Sequence, residues 1–413
     1  MKAILLAGGY GTRLFPLTLR IPKVMVPVAG KPSLEHVVAA CVSGGIRDIV
    51  ISLNTTQKAI EDYFDDGKKW DAKISYVYEE TKSDSDKLGA IGAVQYAAKA
   101  AGIEGECVII GGDNVFYGLD LNSLRSFHSE KKSNATIALY ELSDRKDVEQ
   151  YGVVELDGKG RVVRIQEKPR ESEAVSKLAS MAVYHLDEAF LKECLPKFIA
   201  DRKAEGRKPD KLGELWGHFL SSHAIYGKAF PCMWGDTNST KTYVESNRQA
   251  MRFIVGNAQA KTGWHATDGE TIQIRGKPDI SPHAHIKGPC IVEDGAEIGD
   301  GASVGGGTYV GRNAKIGGRA VVSGSILFRD CEVGAGARVT HSVLDIGAKA
   351  GRDANVEPHC IVGYGASVGA DAHLVQESRI WPQVQVADGA IISGDVVLAE
   401  GLWKEKVMTR ELF

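Results

Sequence analysis

No stretch of this 413-residue chain approaches the roughly 20 consecutive apolar residues that cross a bilayer. Charge of one sign is not in excess either. Fifty Lys and Arg face 53 Asp and Glu, a formal net charge of −3, so neither a nucleic acid nor a membrane surface is an expected partner. The start of the chain lacks a charged segment followed by a long apolar one, which argues against export by a signal peptide. Cysteine is sparse and scattered: Cys41, Cys107, Cys194, Cys232, Cys290, Cys331 and Cys360, with no Cys-x-x-Cys. That pattern favours reduced thiols in the cytoplasm over a disulfide framework or a cysteine zinc site. At this length one ordinary core is too small, so two domains are expected.

The most informative segment lies at the start. Leu6-Ala7-Gly8-Gly9-Tyr10-Gly11-Thr12-Arg13-Leu14 follows the apolar run Ala3–Leu6, and Pro22-Lys23 and Gly30-Lys31-Pro32 come soon after. Glycines just past a buried strand let backbone N–H groups approach an anion closely. Arg13 adds a planar fork of donors and Lys23 a point charge, which together suit a triphosphate. A Walker A loop would need Lys-Ser/Thr after Gly11, where Thr12-Arg13 stands. A dinucleotide fingerprint would need glycine where Leu14 stands. The whole run resembles the activation loop of the sugar-1-phosphate nucleotidylyltransferases (NDP-sugar pyrophosphorylases). The resemblance covers residues 1 to about 255.

The two halves follow different patterns. Up to about residue 255, strand-like segments (48–53, 73–78, 107–110, 136–140) alternate with helix-like ones (33–42, 87–101, 240–255). This predicts an α/β domain over 1–255: a Rossmann-like, mostly parallel sheet with helices on both faces. Residues 256–280 have no period and read as a connector. From 281 to 400, aliphatic residues recur every six positions, first from Ile286 to Val322 and then from Val356 to Ile392. Such hexads predict a parallel β-helix, with glycines after the aliphatic residues permitting the corners. The resemblance implies that it is left-handed. The slip over 328–344 reads as an irregular coil or loop, and 401–413 as a tail.

Gly112-Asp113 ends an apolar strand and Trp234-Gly235-Asp236 ends another; two carboxylates so placed suit a Mg²⁺ ion that bridges phosphates. Tyr151-Gly152-Val153-Val154 and Glu167-Lys168-Pro169 look like the sugar half of the same family. By that resemblance Glu167 accepts from sugar hydroxyls, the Gly152 backbone lies against the hexose and Lys168 holds the sugar phosphate. Arg13 and Lys23 hold the nucleotide phosphates, with Leu6, Ala7, Gly8, Gly9, Gly11 and Thr12 around them, and Asp113 and Asp236 bind the metal. The sugar-1-phosphate oxygen then attacks the α-phosphorus of a nucleoside triphosphate and pyrophosphate leaves, with no protein nucleophile needed.

The base remains open between two readings. Glu79-Glu80 with Leu88-Gly89 resembles guanylyltransferases, since one carboxylate can accept from both N1–H and N2–H₂ of guanine. Gly112–Gly118 looks more like glucose-1-phosphate thymidylyl- or uridylyltransferases. The narrow preference is GTP with mannose 1-phosphate. Residues 82–87 read as an insertion in the base-reading loop, and Thr237-Asn238-Ser239-Thr240 departs from the family's usual stretch after the aspartate. An acetyltransferase activity in the β-helix, using His283, His285, His341, His359 or His373, is a competing reading. It lacks the Asn-Tyr-Val-Glu-like run that accompanies the catalytic histidine in bifunctional relatives. A non-catalytic regulatory subunit is another, opposed by the presence of Arg13, Lys23, Asp113, Lys168 and Asp236 together. The expected role of the repeat is homo-oligomer assembly.

Overall fold

The computed structural model describes residues 1–55, 57–80, 88–257, 264–267 and 270–397. The segment 82–87 and the tail 401–413 lie outside the described residues. Two compact units are present. The first comprises residues 1–10 and 33–234; the second comprises 11–32 and 235–413.

The first unit is built on a nine-stranded sheet. Its parallel part runs Lys73–Glu79, Asp48–Asn54, Lys2–Leu6, Cys107–Gly111, with Lys2–Leu6 between two partners. Both sets of alternating side chains on Lys2–Leu6 are buried, Ile4 on one side and Ala3 and Leu5 on the other. A parallel strand apolar on both faces requires cover on both. On the Ile4 side, Ile91, Val94, Ala97 and Ala98 of the helix Gly89–Ala100 join one core with Phe198, Trp216 and Phe219. The helix Ser33–Ser43 buries Leu34, Val37, Val38 and Cys41. Beyond Cys107–Gly111 the sheet turns antiparallel through Leu178–Leu186, then branches to Ala135–Glu141 with Ile225–Ala229 and to Gly152–Leu156 with Val162–Glu167. The carboxyl ends of the parallel strands fall at Leu6, Asn54, Glu79 and Gly111, where open α/β sheets bind ligands.

The second unit holds a three-sided parallel β-helix. Its three sheets take successive strands in rotation, for example Cys290–Val292, Glu297–Ile298 and Ser303–Gly305. The hexad aliphatic residues form the interior: Ile298, Val304, Val310, Ile316 and Val322, and later Val356, Val362, Val368, Leu374 and Ile380, are buried. Strands Glu270–Ile274 and Asp279–Ile280 already belong to these sheets, within the segment that reads in sequence as a connector.

Two expectations are corrected here. The slip over 328–344 is neither a loop nor an irregular coil. Val292 pairs with Val310 eighteen residues on, Val310 with Leu327 and Leu327 with Leu344 at seventeen, and Leu344 with Val362 again at eighteen. Two coils each lack one residue in the corner before the Ile326–Leu327 and Val343–Leu344 strands, so the sequence period breaks while the ladder continues. The glycines after the aliphatic residues do not make corners by conformational freedom. Gly311, Gly317 and Gly369 have no positive φ. A Cβ on Gly317 would lie 2.6 Å from the Ala335 nitrogen, and one on Gly369 would lie 2.5 Å from the Ala387 carbonyl carbon. They are there because the next coil passes too close for a side chain. The positive-φ corners fall elsewhere, on Gly295, Asn313 and Asp330, for instance, and on Gly336, Asp353 and Asp371. These are the residue types that tolerate the left-handed region.

Candidate active site

In the first unit the glycine run leaves the central strand and is held from beneath. Asn54 Nδ2 donates to the Gly8 carbonyl at 3.1 Å and Gln57 Nε2 to the Gly9 carbonyl at 3.1 Å. Ala7 N–H donates to the Ser52 carbonyl at 2.9 Å. Leu6, Gly8 and Gly9 line a cavity of about 370 Å³ with Glu79, Gly89, Ala90, Ala93, Lys208 and Asp210. The Glu79 side chain is buried, and one of its oxygens accepts from Ser52 Oγ at 2.8 Å. A Cβ on Gly8 would stand 3.2 Å from that same oxygen. Glu80 is exposed and does not line this cavity, so of the predicted acidic pair only Glu79 reaches it. Gly89 has φ +75°, and a Cβ there would meet Asp210 Oδ1 at 2.1 Å. Nothing in the sequence marks Lys208 and Asp210 beyond a charged stretch around Pro209, which pattern alone assigns to a solvated loop.

Asp113 is half-buried just past the carboxyl end of Cys107–Gly111. Its neighbour Asn114 fixes the turn: Asn114 Nδ2 donates to the Gly111 carbonyl at 2.8 Å, and Oδ1 accepts from the Trp234 indole at 2.8 Å. Trp234 in turn packs against Tyr151 (centroids 4.8 Å apart) and Tyr140 (5.5 Å).

Gly152 and Glu167 are brought together by antiparallel pairing of their strands. Glu167 Oε2 would lie 3.2 Å from a Cβ on Gly152 and 2.9 Å from one on Gly213, so two glycines clear space around the carboxylate. Although Glu167 as a residue is exposed, this enclosure desolvates its carboxyl and raises its pKa, while Lys168 and Lys211 pull it down. Lys168 has φ +48°, which is unfavourable for a lysine. Its N–H is fixed to the Tyr151 carbonyl at 3.0 Å, and it shares an open depression with Arg145 and Arg170. The strand Leu178–Leu186 carries a register shift between Ser180 and Tyr184, with Ala182 at φ +52°. The sequence had no signal for that bulge.

Arg13, Lys23 and Asp236 belong to the second unit. Thr12 and Arg13 are exposed. Gly11 takes φ +69° at the cap of the short helical turn Thr12–Leu14, where a Cβ would press on Lys23 Cβ at 2.9 Å. Lys23 Nζ donates to Asn238 Oδ1 at 2.6 Å, and Asn238 N–H donates to Asp236 Oδ1 at 2.9 Å. Asp236 is buried, and its carbonyl accepts from Ser246 Oγ at 2.7 Å. The departure at 237–240 therefore supplies the link between the loop lysine and the aspartate, through an Asn238 that no motif marks.

A separate group of metal-ligating side chains, Glu106, His128 and His185, lies near the amino end of Cys107–Gly111 and contains neither Asp113 nor Asp236. Its two imidazoles stack at 3.9 Å. Of the β-helix histidines, His341 and His359 occupy positive-φ corners, His283 bonds Asp300 at 2.6 Å and His373 bonds Glu357 at 2.7 Å. Among the described residues no helix is long and apolar enough to cross a membrane.

Comparison with known proteins identifies the family. Residues 2–252 match the family model for nucleotidyl transferases, and residues 286–397 match the GMPPB C-terminal domain. A mannose-1-phosphate guanylyltransferase from Mycobacterium tuberculosis is 29% identical over 96% of this chain and 99% of its own length. A UTP–glucose-1-phosphate uridylyltransferase from Synechocystis is 28% identical over 83% of this chain and 87% of its own. A crystal structure from Bacillus anthracis, described as a candidate glucose-1-phosphate thymidylyltransferase, shares its fold with part of this chain (TM-score 0.53, 21% identity, 63% of this chain and 98% of that one). A glycine loop after a central parallel strand, the sheet that carries it and a hexad tail are thus accounted for together: the chain belongs to the nucleotidyl transferase family, as a sugar-1-phosphate nucleotidylyltransferase.

Proposed function

We propose that the physiological pair is GTP with mannose 1-phosphate, giving GDP-mannose and pyrophosphate. The observation that carries this reading is the buried Glu79 carboxylate in the wall of the cavity formed by Gly8 and Gly9. A fixed acceptor there suits the N1–H and N2–H₂ donors of guanine and repels the O4 of uracil or thymine. Further support comes from the match to the GMPPB C-terminal domain and from full-length likeness to mannose-1-phosphate guanylyltransferases.

In this reading the sugar-phosphate oxygen forms a bond to the α-phosphorus while the bond from that phosphorus to the β-phosphate bridge breaks. Arg13 and Lys23 neutralise the triphosphate, with glycine amides contributing donors; Glu167 and the Gly152 backbone orient the hexose and Lys168 its phosphate. Asp113 and Asp236 offer hard carboxylate oxygens at strand ends, the donor type magnesium prefers. The ion would supply charge neutralisation on the phosphates when bound. The β-helix is read as an assembly surface for a homo-oligomer in the cytoplasm.

The test is pyrophosphate release with magnesium for GTP, dTTP, UTP, ATP and CTP, each against mannose 1-phosphate and glucose 1-phosphate. Strong preference for GTP with mannose 1-phosphate supports the proposal. Preference for dTTP or UTP with glucose 1-phosphate overturns it in favour of the thymidylyl- or uridylyltransferase alternative.

A further inference from the structure

The loop Gly11–Pro32 carries the candidate phosphate-binding cations, yet its packing partners come from the far end of the sequence. Near its start, the Arg20 guanidinium lies flat over the Tyr364 ring, its carbon 3.2 Å from the centroid. Phe15 meets Trp381 edge-on at 6.1 Å, and Arg379 Nη2 donates to the Arg13 carbonyl at 3.2 Å. Pro16 is so close to the same coil that a Cβ on Gly363 would stand 3.2 Å from its Cγ. Near its end, Tyr243 Oη donates to the Pro27 carbonyl at 2.6 Å and Ala29 N–H to Asn247 Oδ1 at 2.9 Å.

These contacts divide the loop into two anchored ends with Lys23 between them. One end is clamped by coils of the β-helix and the other by the helix Thr240–Asn257. The β-helix contacts are specific in chemistry: a stacked cation, an aromatic edge and a donor on the backbone of Arg13 itself. Asp345 of the β-helix is buried, and the charge of Arg20 favours its ionised form. A tail serving only as an assembly surface would have no use for them.

We propose that Tyr364, Arg379 and Trp381 are positioning residues for the nucleotide step: by holding residues 13–20 they set where Arg13 presents its guanidinium to the triphosphate. This rests on the proposed function for its consequence in catalysis, but the clamp itself does not depend on it.

Two independent readouts test the proposal in the full-length protein. The first is steady-state kinetics of Tyr364→Ala, Tyr364→Phe and Arg379→Gln. The second is limited trypsin digestion, followed by mass spectrometry of cleavage after Arg13 and Arg20. Tyr364→Ala should lower kcat/KM for the nucleotide about tenfold or more, leave KM for the hexose 1-phosphate within about twofold, and speed cleavage after Arg20 several-fold. Tyr364→Phe keeps the ring face and should behave as wild type in both. Arg379→Gln alters a half-buried side chain whose one described bond to the loop is to the Arg13 carbonyl; it should show the same direction to a smaller degree and guards against a folding defect in Tyr364→Ala. Unchanged kinetics and unchanged cleavage in both Tyr364→Ala and Arg379→Gln overturn the clamp, as do equal losses for the two substrates. If wild type turns over no nucleotide–sugar pair, the functional reading fails. Faster cleavage in the variants would still support the clamp and unchanged cleavage would still reject it.

Discussion

Ser52 donates its hydroxyl hydrogen to Glu79 Oε1 at 2.8 Å, tying two neighbouring parallel strands at their carboxyl ends. This bond aims the Glu79 carboxylate before any ligand arrives. Replacing Glu79 by Gln keeps an acceptor for Ser52 but puts a donor where guanine also donates. Glu79→Gln should therefore lower kcat/KM for GTP roughly 100-fold, as expected for a mispaired buried polar contact. Activity with UTP or dTTP should fall much less. Competition assays between nucleotides measure the ratio directly, and an unchanged ratio would remove Glu79 from base recognition.

Asp113→Asn changes no volume and leaves the Asn114–Trp234 bond in place. Turnover should drop by at least about a thousandfold if the carboxylate binds magnesium. The melting temperature should stay within a few degrees. Retained activity at saturating magnesium would exclude Asp113 as a metal ligand.

His128 and His185 stack within the first unit, and burial holds both well below their ordinary value, at about 4. His128 is lowered further by His185, while Glu106 and Asp187 oppose the shift; for His185 the nearby Arg125 adds to it. An unfolded chain takes up these protons near pH 6.5, the folded one only near 4. Stability from the neutral pair is thus complete above about pH 6.5 and is lost progressively as pH falls towards 4, by up to roughly 3 kcal/mol per histidine. Thermal melts from pH 4.5 to 8 should show this slope, and His185→Gln should flatten it.

Asp345 behaves in the opposite sense. Burial pushes its carboxyl up to about 7, against the pull of the Ile346 amide, Arg20 and the Tyr364 amide. The folded state binds a proton that the unfolded state has already released above pH 4, so stability from this group declines between about pH 4 and 7. Asn can still accept from the Ile346 N–H without carrying charge. Asp345→Asn should be neutral or stabilising at pH 8 and lose that advantage at pH 5, as chemical denaturation at the two pH values would reveal.

Gly317→Ala should cost about 1–3 kcal/mol and lower the melting temperature, because its Cβ would fall 2.6 Å from the Ala335 nitrogen of the next coil. Gly347→Ala meets nothing within 4 Å, but φ there is +65°. It should cost less, about 1 kcal/mol. Equal effects at the two sites would contradict the distinction between crowding and conformation.

Much of this was legible in the sequence for a simple physical reason: both halves have a period. The strands Asp48–Asn54 and Cys107–Gly111 stand within a residue of where their apolar runs suggest, and the six-residue spacing marks the interior of the β-helix. The candidate site was legible where backbone chemistry leaves a trace, as in Gly8-Gly9 or Gly152 opposite Glu167. It was not legible where long-range packing decides. Nothing local marks Asp210 as the neighbour of Gly89, Asn238 as the partner of Lys23, or Ala182 as a residue in the left-handed region. The glycines of the hexads were found for the wrong reason, since a sequence cannot distinguish a glycine that must bend from one that must make room.

Arg20 stacked on Tyr364 has a bearing on how such chains diversify. In linear order the hexad repeats look like an interchangeable cassette that could be traded between relatives at the boundary near residue 255. Because residues 11–32 pack against them, a swap at that point would inherit a foreign seat for the loop. Successful exchange would have to move Phe15 and Arg20 together with Tyr364 and Trp381, so these positions are expected to be inherited as a set.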